Sequence, residues 1–443
     1  MTSAPHGPAA RGASHQRALD TILRSPALLV LGCAGLLLIP VHQLWNDLVP
    51  SFKLDAWIYY HAVAQWHAGG SLYDWYANPG QRTWPFTYPP FAAWVFTPML
   101  LITDRAAQVL LTALTPWAAA LTGWASLRCL GARGREALTG GVWLALAGCL
   151  VAEPLDKTME YGQINAILMM LVALDLLVVP AGSRWRGVGS AVAAAIKLTP
   201  AIAFLVFLVR REWRAATTMV ATAVGLTAAA WVASPQESAR FFGQAMLDPS
   251  RAGLPDYSGN QSLRGLVARA LAEGMWGPAW AGLALLAVIG AVLLARALGR
   301  GASASDGLIL LLQTGVVMTC GLLVSPISWS HHWVWCLPLL MGLGVASWRW
   351  CSPALMTVTA AGGLVFALAM QWWFPEQNHV EQDWPWWAGP LGSSYTLWAL
   401  VAGAVLWARA PLGAHGPDAD AYDPDADAPE GEGADRPADS RES

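Results

Sequence analysis

The stretch ALLVLGCAGLLLIPVHQLW, residues 27–45, contains no Asp, Glu, Lys or Arg. It is long enough to cross a hydrocarbon layer of about 30 Å as a helix. Arg11, Arg17 and Arg24 precede it and Asn46 and Asp47 follow, with no small-residue cleavage site before Asn46, so it reads as a retained helix and not as a cleaved signal. Apolar runs of about 17 to 24 residues recur along most of the chain beyond it. Of the 443 residues 55% are hydrophobic and 12% charged, whereas a soluble domain carries about a quarter charged. The composition therefore describes a multi-pass, all-α membrane protein. The net charge of −3 averages an arginine-bearing body with an acidic tail, and no nucleic-acid partner is expected.

Positive charge orients the chain. Arg128 with Arg133 and Arg135, Arg184 with Arg186, Arg210 with Arg211 and Arg214, Arg296 with Arg300, then Arg349 and Arg409 mark the cytoplasmic turns. Two apolar runs break strict alternation. Residues 89–102 are short and interrupted by Pro98, which suits an interfacial or re-entrant helix. Residues 188–209 have arginines at both ends and are split at Lys197–Pro200, which suggests two half-helices returning to one side. About ten full crossings then remain, with both termini cytoplasmic. Residues 1–25 are expected to be a disordered N-terminus, residues 26–410 the membrane domain, and residues 411–443, with DADAYDPDADAPEGEGADRPADS at 418–440, a disordered acidic tail. The outer loops fall at about residues 46–105, 152–162, 234–276, 325–332 and 374–393. They collect carboxylates, histidines and tryptophans, and an aromatic belt accounts for Trp66, Trp84, Trp94, Trp372 and Trp373.

The front of the first outer loop, LDAWIYYHAVAQWHAGG, forms an amphipathic surface helix ended by Gly69 and Gly70, with Asp55, Tyr59, Ala62 and Trp66 near one face. Asp55 is a reactive carboxylate at the membrane boundary or a helix-capping one, since the dipole favours an acid near an N-terminus. In SPISWSHHWVW, His331 and His332 stand at the outer mouth of a helix, where imidazole can accept a proton or hold an anionic headgroup; adjacent residues point about 100° apart, so one of the two faces a site. The bland alternative is hydrogen bonding to water and Trp neighbours. Lys197 lies deep in an apolar run, where a lysine faces a polar cavity or snorkels to the interface. Gln163 with Asn165, and Asn260 with Gln261 and Arg264, supply paired donors and acceptors suited to sugar hydroxyls or to loop backbone. The six cysteines have no CxxC pair and no metal-ligand spacing, so they read as small buried hydrophobes, and no metal site is expected.

Asp55 in LDAWIYY, YPPF at 88–91, GQIN at 162–165, KLTPA at 197–201, GNQSLRG at 259–265 and SPISWSHHWVW at 325–335 follow one another in order along the membrane body. In this arrangement the chain resembles the membrane glycosyltransferases of C-type (GT-C) fold, and among them the actinobacterial polyprenyl-phosphate-mannose-dependent mannosyltransferases of glycosyltransferase family 87. The resemblance implies a polyprenyl-phosphate-mannose donor, a glycolipid acceptor of phosphatidylinositol mannoside or lipomannan type within membrane lipids, and a site on the extracytoplasmic face of the cell membrane. It implies Asp55 as catalytic base and the His331/His332 pair near the donor phosphate, with Lys197 and Arg264 stabilising charge there. Tyr59, Tyr88, Gln163, Asn165, Asn260 and Gln261 complete the expected substrate-binding set. No cofactor is expected, because the DxD metal motif of nucleotide-sugar enzymes is absent from the membrane body, residues 26–410. Two other readings stand beside this one: an arabinofuranosyltransferase using lipid-linked arabinose, and a lipid or sugar transporter. Against the transporter, charges concentrate in one-sided loops and no inverted repeat is visible.

Overall fold

The computed structural model describes residues 23–46, 53–81, 83–376 and 378–413. The expectations for the two tails fall mostly on residues outside these ranges. The described chain is helical apart from one two-stranded hairpin, Tyr76–Asn78 against Thr83–Pro85, with Tyr76 opposite Pro85. That hairpin departs from the all-α expectation; it lies in the first loop.

Among the described residues five helices are long and apolar enough to cross a membrane: Asp104–Cys129, Trp213–Ala233, Glu273–Leu298, Gly307–Val324 and Pro353–Trp372. Gly134–Val151 and Glu153–Tyr161 make a sixth candidate bent by 80°. The expected ten crossings thus include segments that are not single long helices, such as the shorter apolar helix Asn165–Leu177. Ala152 is extended between the two arms of the bent pair, and Pro154 opens the second arm without an N–H to offer the first. Residues 90–101 divide into Pro90–Phe96 and a 3₁₀ turn, Thr97–Leu101, containing Pro98. Segments expected as outer loops also contain short helices, among them Glu153–Tyr161, Pro235–Gly243 and Leu263–Ala270.

Residues 188–209 form Val188–Ile196, an extended Lys197, a 3₁₀ turn at Thr199–Ala203, and Phe204–Val209. The two ends of this segment meet: Arg186 and Arg210 both grip Glu212, Arg186 through Nε and Nη2 and Arg210 through Nε at 2.9 Å. The chain therefore leaves one end of the bundle, turns at Lys197 and comes back. Nine helical residues rise about 13 Å, so Lys197 sits part-way along the bundle. Arg186 Nη1 also donates to the carbonyls of Asp175, Leu176 and Val179 at 3.0, 3.0 and 2.7 Å. These carbonyls close the helix Asn165–Leu177, whose last turn has no intrahelical donors for them. The Asp175 carboxylate accepts from the backbone N–H of Gly187 and Ser190, at the start of the next helix. Arg210 reaches Gln313 and the Ala304 carbonyl, and the Cys129 thiol the Gly307 carbonyl, so several arginine-bearing turns gather at one end.

Asp104–Cys129 and Gly134–Val151 pack at close range through glycine. A Cβ on Gly141 would stand 2.5 Å from the Trp124 nitrogen and 2.7 Å from the Ala120 carbonyl oxygen; without a hydrophobic drive between helices in lipid, such close backbone contact is a main source of association. Gly141→Val should therefore destabilise the folded protein by about 1–3 kcal/mol, read as a lower unfolding midpoint in detergent. Gly290→Ala, at a helical glycine with nothing within 4 Å of its added Cβ, should be neutral or slightly stabilising.

Candidate functional site

The helix Leu54–His67 is held against the bundle at both ends and along its side. The Lys53 backbone N–H donates to Gln108 Oε1 at 3.3 Å, His61 bonds Asp104 at 3.2 Å, and Tyr60 donates to the Ile102 carbonyl at 3.1 Å. It ends at His67 and turns through Gly69 at φ +90. Asp55 lies in the first turn of this helix, where the dipole favours an acid, but it is not the N-cap, which is Lys53 with no side-chain cap bond. The half-buried Asp55 carboxyl bonds the Gln163 side chain and lies within Coulombic reach of Lys197. Burial pushes the Asp55 carboxyl up, and the Gln163 hydrogen bond and the Lys197 charge pull part of that back, leaving it at about 6.

Gln163 is oriented by two phenols. Its Oε1 lies 2.9 Å from the Tyr59 hydroxyl and 3.2 Å from that of Tyr88, and the two hydroxyls are 2.8 Å apart. An oxygen engaged with donors leaves the amide N–H₂ to face the Asp55 carboxylate. Gly162 permits this approach. It closes the helix Glu153–Tyr161 in the left-handed region at φ +63, and a Cβ there would lie 2.7 Å from that of Ala56.

Lys197 completes the cluster. Its ammonium donates to Asn165 Oδ1 at 2.8 Å, lies 3.1 Å from His332 Nε2, and stands 5.4 Å from the centre of the Tyr88 ring. Because an ammonium only donates, His332 Nε2 accepts, and the neutral ring carries its proton on Nδ1. Asn165 uses its other end on the His331 carbonyl at 3.2 Å, which also accepts from Thr158. The His331 Nε2 is buried without a hydrogen-bond partner. Eight of the expected residues, Asp55, Tyr59, Tyr88, Gln163, Asn165, Lys197, His331 and His332, thus come together from five separated segments.

The remaining three are placed differently. Asn260 is fully buried with both ends of its amide taken by backbone: it donates to the Pro255 and Pro326 carbonyls and accepts from the Ser262 and Ser328 N–H groups. Gln261, equally buried, donates to the Ser258 and Gly392 carbonyls and accepts from Tyr395 N–H. These contacts tie outer loops together, the second of the two uses considered for such pairs. Arg264 lays its guanidinium over the Trp280 ring at 5.7 Å.

One further carboxylate belongs to the outer-loop stretch EPLDKTMEYGQIN, residues 153–165, that also carries Gln163 and Asn165. Glu153, at the 80° bend, is buried and accepts from the Ser330 hydroxyl, the Trp372 indole and the Tyr395 hydroxyl at 2.7, 2.7 and 2.8 Å. Ser330 precedes His331, so Glu153 anchors the histidine turn. In the sequence it stands with the other polar residues of that loop, suited to substrate contact or to holding loop structure, and the second is the use seen here. Among the described residues no group of three or more His, Cys, Asp or Glu side chains is arranged to hold a metal ion.

Residues 86–326 match the model of glycosyltransferase family 87, and the chain belongs to that family. It is an enzyme class that transfers sugars, here built on membrane-type helices. Two named relatives sharpen this. The chain is 32% identical over 380 residues, 81% of its length and 86% of the relative's, to the polyprenol-phosphate-mannose-dependent alpha-(1-2)-phosphatidylinositol mannoside mannosyltransferase of Mycobacterium tuberculosis. It is 34% identical over 313 residues, 68% of its length and 72% of the relative's, to the corresponding pentamannoside mannosyltransferase of Mycolicibacterium smegmatis. No solved structure gives a significant match. The family segment contains Tyr88, Gln163, Asn165 and Lys197, while Asp55, His331 and His332 flank it.

Gly162→Ala is expected to lower stability by about 1 kcal/mol or more, from the left-handed backbone and the contact with Ala56 together. Its unfolding midpoint in detergent should drop, and a midpoint equal to wild type would contradict the tight turn that sets Gln163 against Asp55.

Proposed function

We propose that this chain transfers mannose from polyprenyl-phosphate-mannose to a hydroxyl of a cell-envelope glycolipid of the phosphatidylinositol mannoside type, by a single inverting displacement. One observation carries the mechanism: an ionisable carboxyl and a lysine ammonium face one cluster, with neutral amides, phenols and imidazoles between them. The mannose donor and the inositol-mannoside acceptor follow from what the relatives are named for. Those names favour mannose over arabinose, and group transfer over transport.

In this scheme Asp55 removes the proton from the acceptor hydroxyl as its oxygen attacks the anomeric carbon. The bond from that carbon to the phosphate oxygen breaks, and the lipid phosphate leaves with the electron pair. A carboxyl that titrates near 6 is ionised at neutral pH while retaining more basicity than an ordinary solvated carboxylate. Lys197 meets the charge that grows on the departing phosphate: two of its N–H groups are aimed at Asn165 and His332, which leaves the third for the phosphate oxygens. This lysine supplies the positive charge at that position. His332 receives the Lys197 hydrogen bond and orients the ammonium. A double displacement would need a nucleophile as well as an acid/base, and the cluster offers a single carboxylate in that position.

The proposal includes a C-type fold whose broken helices supplement the full spans. It places the Asp55 cluster on the extracytoplasmic side and the Arg186–Glu212–Arg210 end with both termini on the cytoplasmic side, as the positive-inside rule orients them.

Asp55→Asn, nearly isosteric, should reduce mannosyl transfer from the purified lipid donor by about 10²-fold or more; normal turnover would sink the assignment. The pH profile gives an independent check. Asp55 works ionised, so transfer should fall as pH drops through about 6. Gln163→Leu removes a hydrogen bond that favours the charged form, so the acid limb of kcat/KM should move to higher pH. A limb that stays in place would show that another group controls it.

A further inference from the structure

Beside Asp55 and His331, four segments assemble a wall of aromatic rings that the displacement chemistry does not use. Tyr161 ends its helix with its ring edge-on to His331, centroids 5.2 Å apart. Tyr257 stands edge-on to Trp329 at 5.7 Å and tilted against Trp372 at 6.1 Å. Lys157 joins the two groups, its ammonium 5.7 Å from the Tyr161 ring centre and 5.8 Å from that of Trp372, while it pairs with Glu160 at 2.6 Å. All six side chains are half-buried, and those of Lys157 and Glu160 keep 24% and 46% of their surface open. The patch is therefore built but not closed.

The rings are held in place before any ligand arrives. A Cβ on Gly253 would stand 2.8 Å from the Trp329 ring, and one on Gly259 would stand 2.8 Å from Tyr257 and 3.0 Å from Trp372. The Trp372 indole is fixed on Glu153. Tyr161 also immediately precedes Gly162, which packs against Ala56, the neighbour of Asp55, so the patch borders the reactive cluster.

The chemistry of the patch selects its ligand. A pyranose ring has an apolar C–H face and a rim of hydroxyls that both donate and accept. Half-buried aromatic rings match the first, and a Lys–Glu pair supplies a donor and an acceptor for the second. A phosphate would be repelled by Glu160, and a hydrocarbon tail would leave both charges unsolvated. We propose that Lys157, Glu160, Tyr161, Tyr257, Trp329 and Trp372 form the acceptor-sugar subsite, which grips the hexose whose hydroxyl is presented to Asp55. This assignment rests on the mannosyltransferase reading above and adds the side of the cluster from which the acceptor enters.

The test uses the full-length chain in detergent, with polyprenyl-phosphate-mannose as donor and a phosphatidylinositol mannoside as acceptor. Glu160→Gln, which removes the charged acceptor, and Tyr257→Leu, which removes the ring, should each raise the acceptor KM by about tenfold while moving the donor KM by less than about twofold. Tyr257→Phe keeps the ring and should hold the acceptor KM within about twofold of wild type. An unchanged acceptor KM in Glu160→Gln and Tyr257→Leu, or a donor KM rising in step, overturns the subsite; if Tyr257→Leu does not accumulate, Glu160→Gln decides alone. A wild-type chain that transfers no mannose counts against the mannosyltransferase reading instead. Equilibrium binding of the same labelled glycolipid to wild type and Glu160→Gln then decides the subsite separately, with equal affinity overturning it.

Discussion

A lysine among apolar helices must find polar partners, and the partners that Lys197 finds organise the site. Its ammonium ties the break in residues 188–209 to Asn165 and to His332, and its charge reaches Asp55. An unpaired ammonium in such surroundings would cost several kcal/mol. The lysine therefore requires those segments to converge, and their convergence in turn creates a site where a developing negative charge meets a fixed positive one. Asn165 extends the constraint, since the same amide that accepts from Lys197 donates to the His331 carbonyl.

The opposite end of the segment is held by a second set of charges. Glu212 receives Arg186 and Arg210, and the rest of the Arg186 guanidinium covers three carbonyls at a helix end. Removing one partner from such a buried set leaves an uncompensated charge and costs about 3–5 kcal/mol. Because both ends of residues 188–209 are pinned to the same carboxylate, the apex at Lys197 keeps its depth. Glu153 does similar work for the histidine turn, through three neutral donors in place of an ion pair.

Much of this was legible along the chain. Apolar runs, arginine turns and the split at Lys197–Pro200 indicated a broken segment starting and ending on one side, and Asp55, Lys197 and the histidine pair stood out because charge in an apolar context is expensive. What was not legible is which polar residues act and which only build. Asn260 and Gln261 have the same donor and acceptor capacity as Gln163 and Asn165. They differ in where their amides end: the first pair are consumed by loop carbonyls and N–H groups, while the second pair bond Asp55, the phenols and Lys197. Nothing in a linear pattern carries that distinction.

Hydropathy and charge act on each segment independently, so a helical membrane protein, its charge polarity and the short list of ionisable groups that chemistry would need are all readable along the chain. The number of continuous spans, the bend at Glu153, the hairpin at residues 76–85, and the meeting of Asp55 with Gln163 and of Lys197 with His332 were decided by tertiary structure. Those features depend on contacts between residues that lie on segments far apart in the chain, such as the 2.7 Å that separates a Cβ at Gly162 from Ala56. Such contacts exist only once the helices have packed.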